Sequence, residues 1–588
     1  MTEEKTPNDL LTDYCNIYLA SENRNYQGDE LEIKFGTKHY NQITKIDFDN
    51  IIQKLKSLGF VKIQENYHLN ITNEYVNEKG KMKDSNVRTT IKGLSNIQKY
   101  CKENIIHEDK LNNITFLQKF RKKEKRDGEN LRPIDFHDFQ FRVNYKTERD
   151  LTPKNQENLR PEIAQALDSW KDTKKIFRFM KRYTFQLITD TNEYPYQFDL
   201  SIVKTNKQKR LNNGRKIFIK EYSIQDANVF NEPENYEVEM EIIKNYTKNM
   251  DTNTLLRKIK KGIKIILSGW QGTNFPISYL EQDRVKKEYM HLIHGKENMP
   301  RGKDGRPRRI HSGDFIGPSS VSLETTNIMP VDIDSSVPNI NRPYTVTDKA
   351  DGDRKLLFIS NIGKIYFIDT NMNIQFTGNV TKHKSSCNTI IDGEHVLNDK
   401  VGNFINLFLG FDIYYLNKEN TKGFPFMNVP DTEFNYVDKD MAKDKFRGDL
   451  LSDTISNLDS HCIINSYKTP LIIKMKTFYS NIGSNIFKEC KKILDGVKEG
   501  VLFNYETDGL IFTPCDKSVG SSKVGEITPS RKFRWDYSLK WKPPKFNTID
   551  FLVKTKKIET GEEYMGNIFM EGINVSKDNS LNQYKTLI

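Results

Sequence analysis

Residues 30–35 read ELEIKF and residues 237–241 read EVEME. Both stretches alternate charged and apolar side chains, as a β-strand with one polar and one apolar face does. Either stretch alone would suit a solvated surface strand. If both belong to one closed sheet, their carboxylates converge inside it, where like charges are costly to bury unless a cation compensates. The pair therefore predicts a barrel that holds a divalent cation on oxygen ligands.

The residues between these two stretches read mainly as further strands, with two helical patches among them. The predicted strands are residues 115–119, 139–145, 177–187, 197–203 and 216–222, and the helices are residues 48–58 and 160–170. So many strands in one module predict an antiparallel barrel or a strongly curled sheet. Three strands are basic, in TFLQKFR (115–121), FRVNYKTE (141–148) and FRFMKRYT (177–184). Lysine and arginine pointing into one cavity can hold a triphosphate.

This layout resembles the triphosphate tunnel metalloenzymes, the RNA 5′-triphosphatase type of fungi and large DNA viruses. The resemblance implies Mg²⁺ or Mn²⁺ as cofactor and hydrolysis that leaves a 5′-diphosphate RNA end. It implies as metal ligands Glu30, Glu32, Glu237 and Glu239, with Glu241 nearby. It implies as triphosphate contacts Arg88, Lys119, Arg178 and Arg182. It also implies that Glu148 and Asp199 position the metal or the attacking water.

One position departs from the pattern of this family. The family often shows Arg-x-Lys-x-Arg on a central strand, whereas this chain has Met180 in the middle and Lys181 one step out of phase. A β-bulge would turn Lys181 into the cavity, because an extra residue shifts the alternation of a strand. With such a bulge, Lys181 joins the predicted triphosphate contacts, and without it one contact is missing.

A second constellation begins at residues 349–354, which read KADGDR after an apolar strand at residues 344–347. A lysine at a strand–turn–strand junction is placed to meet a ligand, and it must lose its proton to act as a nucleophile. The hexapeptide alone fits an ordinary surface turn equally well, because Asp-Gly is a frequent turn dipeptide. Further stretches follow it in the chain: IIDGEHV (390–396), LGFDIYYL (409–416), TDGLIFTP (507–514) and LKWKPP (539–544).

In this order the five stretches resemble the motifs of the covalent nucleotidyltransferases, the superfamily of capping enzymes and ligases. The resemblance implies a domain of ATP-grasp-like antiparallel sheets with helices. It implies that Lys349 attacks the α-phosphate of GTP and carries GMP as a phosphoramidate. The GTP-binding residues that it implies are Arg354, Glu394, Phe411, Lys540 and Lys542, and it implies Asp508 as a metal ligand.

Three features favour a capping enzyme over a ligase. The fourth motif carries Asp508, where ligases more often carry Glu, and the fifth places Trp541 between two lysines. A triphosphatase-like module is needed for capping and not for ligation. This fusion, with GPSSVSLE (317–324) before the lysine, most resembles the capping enzymes of poxvirus-like and giant DNA viruses. An ATP-dependent polynucleotide ligase and a truncated or regulatory RNA-binding core remain the alternatives.

The partners that the resemblance implies are the RNA 5′ end, GTP, a cap methyltransferase domain or subunit, and the transcription machinery. The location that it implies is the cytoplasm of an infected host cell, in a viral factory, and the virion. The formal net charge of +12 agrees with a polyanionic partner. The six cysteines show no C-x-x-C spacing, which argues against a zinc site or a disulfide framework. No secretory signal or membrane span is predicted.

The predicted architecture is α+β and multidomain. We expect a triphosphatase barrel over residues 1–250, a nucleotidyltransferase domain over residues 251–545, and the beginning of an OB-type domain over residues 546–588. This last stretch is too short for a complete OB barrel. The glycine-rich motif of an S-adenosylmethionine site is not found in the sequence. A basic stretch at residues 296–314, KENMPRGKDGRPRRIHSGD, is predicted as a loop that is solvated or contacts phosphate.

Overall fold

The computed structural model describes most of the chain from residue 5 to residue 548. The described residues are 5–21, 27–36, 42–76, 82–106, 113–121, 131–152, 161–189, 194–212, 216–303, 305–430, 436–437, 442, 444–465, 470–500, 502–548, 556–557 and 563–564. The helices are α1 Pro7–Ala20, α2 Lys45–Ser57, α3 Leu94–Glu103, α4 Pro161–Asp168, α5 Ile224–Ala227, α6 Thr252–Gln271, α7 Tyr279–His294, α8 Arg447–Ser456 and α9 Ile486–Glu499.

The strands fall into an N-terminal and a C-terminal group. The N-terminal strands are β1 Gln27–Phe35, β2 Val61–Val76, β3 Met82–Asp84, β4 Val87–Lys92, β5 Ile114–Arg121, β6 Ile134–Phe136, β7 Phe141–Asp150, β8 Lys175–Gln186, β9 Tyr196–Thr205, β10 Gln208–Arg210, β11 Lys216–Phe218 and β12 Asn235–Ile242. The C-terminal strands are β13 Ser319–Ser322, β14 Tyr344–Ala350, β15 Asp353–Ile359, β16 Lys364–Asp369, β17 Ile374–Thr381, β18 Thr389–Asn398, β19 Phe404–Leu416, β20 Glu419–Asn420, β21 Ser460–Cys462, β22 Ile472–Met475, β23 Tyr479–Ser480, β24 Thr507–Pro514, β25 Arg534–Trp541, β26 Lys556–Lys557 and β27 Glu563–Tyr564.

The N-terminal strands close into a barrel, as the sequence predicts. The order around it is β1-β12-β9-β8-β2-β4-β5-β7, and β7 pairs with β1 to complete the ring. All pairings in the ring are antiparallel. The strand predicted at residues 216–222 is wrong in length and position. Strand β11 ends at Phe218, and among the described residues it pairs with β10 in a small sheet outside the ring. Strands β2 and β4 of the ring are not among the strands that the sequence predicts.

Helices cover one side of the barrel because β1 and β12 present apolar side chains outward. Leu31, Ile33, Val238 and Met240 are fully buried in a core that also contains residues of α1, α2 and α6. Their charged neighbours in both strands point the other way, into the barrel, since successive side chains of a strand alternate. The apolar half of each glutamate stretch therefore holds the wall in place while the polar half lines the interior.

The long helix α6 belongs to this core. It begins after the N-cap Asp251, whose side chain accepts from the Thr254 amide, and ends at Gly272 in the left-handed conformation. Its residues Leu255 and Ile259 are fully buried against the barrel side. The boundary predicted at 250/251 stays a prediction, although this packing places α6 with the first unit.

Strands β13 to β25 form two sheets, and β26 pairs with β27 separately. One has the order β13-β25-β24-β14-β23, and the other has the order β20-β19-β18-β15-β16-β17-β21, with β22 paired to β19. The pairings β13–β25 and β19–β22 are parallel and the others antiparallel. The turn between β14 and β15 connects the two sheets, and this turn is the KADGDR stretch.

Most of residues 546–588, predicted to begin an OB-type domain, lie outside the described residues. No helix in the described ranges is long and apolar enough to cross a membrane.

Candidate active sites

The barrel interior contains the glutamates of β1 and β12 and the cations of the basic strands. Glu30 accepts from Lys119 Nζ at 2.7 and 2.8 Å. Glu32 forms ion pairs with Lys146 and Lys34. On β12, Glu237 forms an ion pair with Arg178, and Glu239 forms ion pairs with Lys34 and Arg182. The structure thus brings four predicted metal ligands, Glu30, Glu32, Glu237 and Glu239, and three predicted phosphate contacts, Lys119, Arg178 and Arg182, into one interior.

Asp199 and Glu148 also lie in this interior. Arg182 Nη1 is 3.1 Å from Asp199 Oδ2, and Thr184 Oγ1 donates to Asp199 Oδ1 at 2.7 Å. Glu148 Oε1 is 3.5 Å from Lys119 Nζ and 3.7 Å from Arg88 Nη2. Each predicted positioning carboxylate therefore sits beside predicted phosphate-binding cations.

Glu241 stands apart from the other glutamates. Its carboxylate accepts a hydrogen bond from Gln197 Nε2 at 3.2 Å. Burial raises the pKa of Glu241 to about 7, and the charges of Glu30 and Asp199 add to this shift. The charges of Lys119 and Arg182 act in the opposite direction. Because burial and these two carboxylates disfavour its charged form, a cation bound beside Glu241 would stabilise the ionised carboxylate.

The prediction that Lys181 contacts the triphosphate inside the barrel is wrong. Strand β8 pairs with both neighbours without a register shift at this point, so no bulge turns Lys181 inward. Arg178, Met180 and Arg182 share the inner face, whereas Lys181 pairs with Glu65 at 2.9 Å on the outer face. The interior therefore carries an apolar side chain at the position where the family often has a lysine.

Two interior cations and a histidine were not among the predicted site residues. Lys34 and Lys146 both contact Glu32, and His68 lies opposite Met180 in the pairing of β2 with β8. Burial lowers the pKa of His68 to about 4, and the nearby charge of Arg182 contributes. The alternation of β1 and β7 could have identified both lysines, because each shares a face with a predicted site glutamate.

The donor set of the interior suits a hard divalent cation, since all candidate ligands are carboxylate oxygens. In the part of the chain that the structure describes, no three His, Cys, Asp or Glu side chains are grouped so as to hold a metal ion. Most of these glutamates contact lysine or arginine instead. The six metal ligands named from the sequence therefore remain predictions. A cavity of about 360 Å³, open to solvent and lined by Arg182, Asp199 and Glu241, gives access to this region.

Lys349 lies in the second site, near the end of β14. Its Nζ is 2.8 and 3.0 Å from the two carboxylate oxygens of Asp508, and Lys542 Nζ is 2.6 Å from the same carboxylate. Burial would raise the pKa of Asp508, but hydrogen bonds from Lys349 and Lys542 outweigh it and lower that pKa. Asp508 is therefore an ionised carboxylate shared by two lysines.

A bulge in β24 places Asp508 here. Lys349 pairs with Gly509, and Ala350 pairs with Thr507, so Asp508 is the extra residue. Gly509 has a φ of 155°, and a Cβ on it would lie 2.0 Å from the Trp541 carbonyl oxygen. The Asp-Gly pair of this motif thus combines a bulged carboxylate with a close approach of β25, which carries Lys540 opposite Ile511.

Arg354 is fixed on the neighbouring sheet. Its guanidinium forms a two-point ion pair with Asp392, with Nε 3.1 Å from Oδ1, and its Nη1 donates to the Pro318 carbonyl at 2.7 Å. It also lies 5.7 Å from the ring centre of Phe411. Phe411 is itself the extra residue between Gly410 and Asp412 in the pairing of β19 with β18.

Glu394 and Lys476 complete the surroundings of Lys349. Burial raises the pKa of Glu394 to about 7, although the charges of Lys476 and Lys349 oppose the shift. Lys476 is buried, and its Nζ donates to the Asp348 carbonyl at 2.7 Å and lies 3.2 Å from Asp348 Oδ2. Lys476 was not predicted, because it belongs to none of the five motifs.

Comparison with known proteins bears on this site. Residues 281–544 match the family described as mRNA capping enzyme, catalytic domain. The chain is 28% identical over 354 residues to a probable mRNA-capping enzyme of Acanthamoeba polyphaga mimivirus, an alignment that covers 56% of this chain. This part of the chain is therefore similar in sequence to the catalytic domain of mRNA capping enzymes. The chain is also 26% identical over 294 residues to the mRNA-capping enzyme of Danio rerio, which covers 47% of this chain.

These relatives are longer than the region that aligns. The chain spans 27% of the mimivirus protein and 41% of the zebrafish capping enzyme. The solved RNA triphosphatase domain of a trifunctional mimivirus mRNA capping enzyme aligns with 45% of this chain and 97% of that domain. Its sequence identity is 17% and its TM-score is 0.29.

Proposed function

We propose that this protein builds the cap at the 5′ end of RNA in two steps. The barrel hydrolyses the γ-phosphate of triphosphate-ended RNA, and the second site then transfers GMP from GTP to the diphosphate end through Lys349. The observation that carries the proposal is the convergence of Lys349, Asp508 and Lys542 within ion-pair distance. A capping enzyme, rather than a ligase, accounts for the charged barrel in the same chain.

In the first step the cations of the barrel hold the triphosphate. Arg178 and Arg182 come from β8, Arg88 comes from β4, and Lys119 comes from β5. Water attacks the γ-phosphorus, the bond to the β-phosphate oxygen breaks, and inorganic phosphate leaves. The cations offset the charge that develops on the phosphate oxygens. A Mg²⁺ or Mn²⁺ ion on the glutamates of β1 and β12 would polarise the γ-phosphoryl group.

In the second step Lys349 Nζ attacks the α-phosphorus of GTP, and the bond to the β-phosphate oxygen breaks with release of pyrophosphate. Lys540 and Lys542 stabilise the charge on the α-phosphate. Asp508 holds Nζ in place before GTP binds and would ligate the metal. Phe411 contacts guanine, and Glu394 contacts the ribose. The terminal phosphate oxygen of the diphosphate RNA then attacks the same phosphorus and displaces Lys349.

The proposal extends to partners and location. A cap methyltransferase and the transcription machinery are the partners that capping chemistry calls for. A viral factory in the cytoplasm of the host cell, and the virion, are the proposed locations.

The covalent intermediate provides the decisive test. The protein is incubated with a divalent metal ion and α-labelled GTP or, in parallel, α-labelled ATP. We expect a labelled protein from GTP only, and complete loss of the label in Lys349→Ala, because no other residue supplies the attacking nitrogen. Lys355→Ala is the matched control for lysine loss, since its Nζ contacts Gln375 and His395 instead of Asp508. Label from ATP would indicate a ligase, and no label from either nucleotide would indicate an inactive core.

A further inference from the structure

Two exposed basic segments lie together beside the second site. They are residues 300–303 with 305–309, which precede β13, and residues 529–534, which lead into β25. The Lys532 amide donates to the Gly313 carbonyl at 3.0 Å, and the Ser319 amide donates to the Phe533 carbonyl at 2.8 Å. We call the five exposed cations of these segments the basic rim: Arg301, Lys303, Arg309, Arg531 and Lys532.

The loop of the basic rim has a defined shape. The Gly302 amide donates to the Arg306 carbonyl at 2.8 Å, and the Arg308 amide donates to the Pro300 carbonyl at 3.2 Å. Arg308 also forms a two-point ion pair with the buried Asp314. This arginine therefore anchors the loop, while its basic neighbours remain at the surface.

Among the described residues, the cations of the basic rim form no ion pairs that stabilise the fold. Within the described ranges, none of the five has a carboxylate at ion-pair distance, whereas Arg534 next to them pairs with Asp536 at 2.9 Å. Arg309 even lies near another cation, Lys286 of α7. Exposed cations that lack carboxylate partners gain most from an external polyanion.

The basic rim is continuous with the nucleotide site. Residues 314–318 connect the two, because Arg354 donates to the Pro318 carbonyl at 2.7 Å and lies 5.6 Å from the ring centre of Phe315. Strand β25 starts beside the basic rim and ends at Lys540 and Trp541. In the pairing of β25 with β13, Arg534 lies beside Ser319 and Lys540 lies beside Ser322. At a rise of about 3.3 Å per residue, these three steps of β13 put the start of β25 roughly 10 Å from Lys540, and Arg531 and Lys532 precede that start. An RNA strand of a few nucleotides spans the distance from the bound GMP to these cations.

We propose that the basic rim binds the sugar–phosphate backbone of the acceptor RNA, downstream of the 5′ end that receives GMP. The proposal rests on the proposed function, because it assigns the path of that reaction's second substrate. Contacts from exposed lysine and arginine to phosphate carry affinity and orientation but no base sequence. The rim therefore serves RNA of any sequence that is longer than a few nucleotides.

The test uses the full chain with Arg309→Glu and Arg531→Glu combined. The matched control is Lys488→Glu with Lys491→Glu, which changes the net charge equally at two exposed positions of α9. Binding of a fluorescent 5′-diphosphate RNA of about 20 nucleotides is measured by anisotropy over a range of salt concentrations. We expect binding to weaken at least tenfold in the rim variant, and its salt dependence to fall by roughly 0.7 in log–log slope per lost phosphate contact.

A second measurement follows GMP transfer from the labelled protein to the same RNA and to a trinucleotide. In the rim variant we expect kcat/KM for the long RNA to fall at least tenfold, with lysyl-GMP formation and transfer to the trinucleotide unchanged. An equal loss in the α9 control, or no loss in the rim variant, would overturn the proposal. Rim-dependent binding of a polyglutamate peptide but not of RNA would also overturn it. RNA binding that depends on the rim without any lysyl-GMP would contradict the proposed function and leave the rim assignment standing.

Discussion

At the scale of single residues, the second site depends on two bulges. Asp508 reaches Lys349 because it is the unpaired residue of β24, and Phe411 occupies the equivalent position in β19. In a regular strand each would share its face with the residues two positions away, and a bulge re-aims the side chain. Local sequence names these residues, but only the register of the strands reveals how they are aimed.

Glu394 carries a prediction about pH. Its pKa rises from 4.5 to about 7 on folding, so the folded state favours the neutral form. The stability that this provides is full below about pH 4.5 and is lost as the pH rises through 7. We expect the free energy of unfolding of the wild type, relative to Glu394→Gln, to fall by about 2.5 kcal/mol between pH 5 and pH 8. Urea unfolding at both pH values measures it, and an unchanged difference between the two proteins would refute the assignment.

At the scale of elements, strand β8 shows how one face carries chemistry and the other packing. Arg178, Met180 and Arg182 line the interior, while Lys181 stacks between Tyr67 and Tyr183 outside, at 5.3 and 5.2 Å from the two ring centres. The sequence alone could not exclude a bulge at this point, since bulges leave no fixed residue signature. The regular pairing of β8 with β2 and β9 shows that there is no bulge at Lys181.

The two faces of β8 predict opposite outcomes for neighbouring substitutions. Arg182→Gln should lower phosphate release from triphosphate-ended RNA about a hundredfold, since loss of one group that stabilises phosphoryl charge has effects of this size. Lys181→Gln should leave the rate within about twofold, because Lys181 contacts Glu65 outside the barrel. Phosphate release is measured for both, with circular dichroism to confirm folding. Equal loss in both variants would contradict the inward assignment of Arg182.

At the scale of the whole molecule, the charged interior and the helical cover of the barrel depend on each other. The glutamates of β1 and β12 can face inward only because α1, α2 and α6 bury the apolar residues of the same strands. Gly262 of α6 allows this contact, since a Cβ there would lie 2.4 Å from Met240 Sδ. The first unit therefore needs α6, although this helix follows the last strand of the barrel.

Truncation tests this dependence. A fragment ending at residue 250 lacks α6, whereas one ending at residue 272 retains it. Leu255, Ile259 and Ile266 are each fully buried. Loss of their burial should cost about 5 kcal/mol or more, at about 1.5–3 kcal/mol for each side chain. We expect the shorter fragment to be unfolded or aggregated and the longer one to melt cooperatively. Equal melting temperatures would show that α6 is dispensable.

The sequence by itself determined the class of the fold and most of the chemistry. Period-two alternation identified β1 and β12, and the order of five motifs identified Lys349 and its companions. It missed β2, where residues 64–66 and 72–74 are all polar and obscure the alternation. It also missed Lys476, because this lysine and its partner Asp348 are 128 residues apart in the chain and meet only when the protein folds.

Only the tertiary structure decided the direction of Lys181, the partner of Lys349 before GTP binds, and the meeting of two basic segments at the rim. Each of these depends on which strands pair and in what register. Register is set by contacts between residues far apart in the chain, and a pattern read along one strand does not contain it.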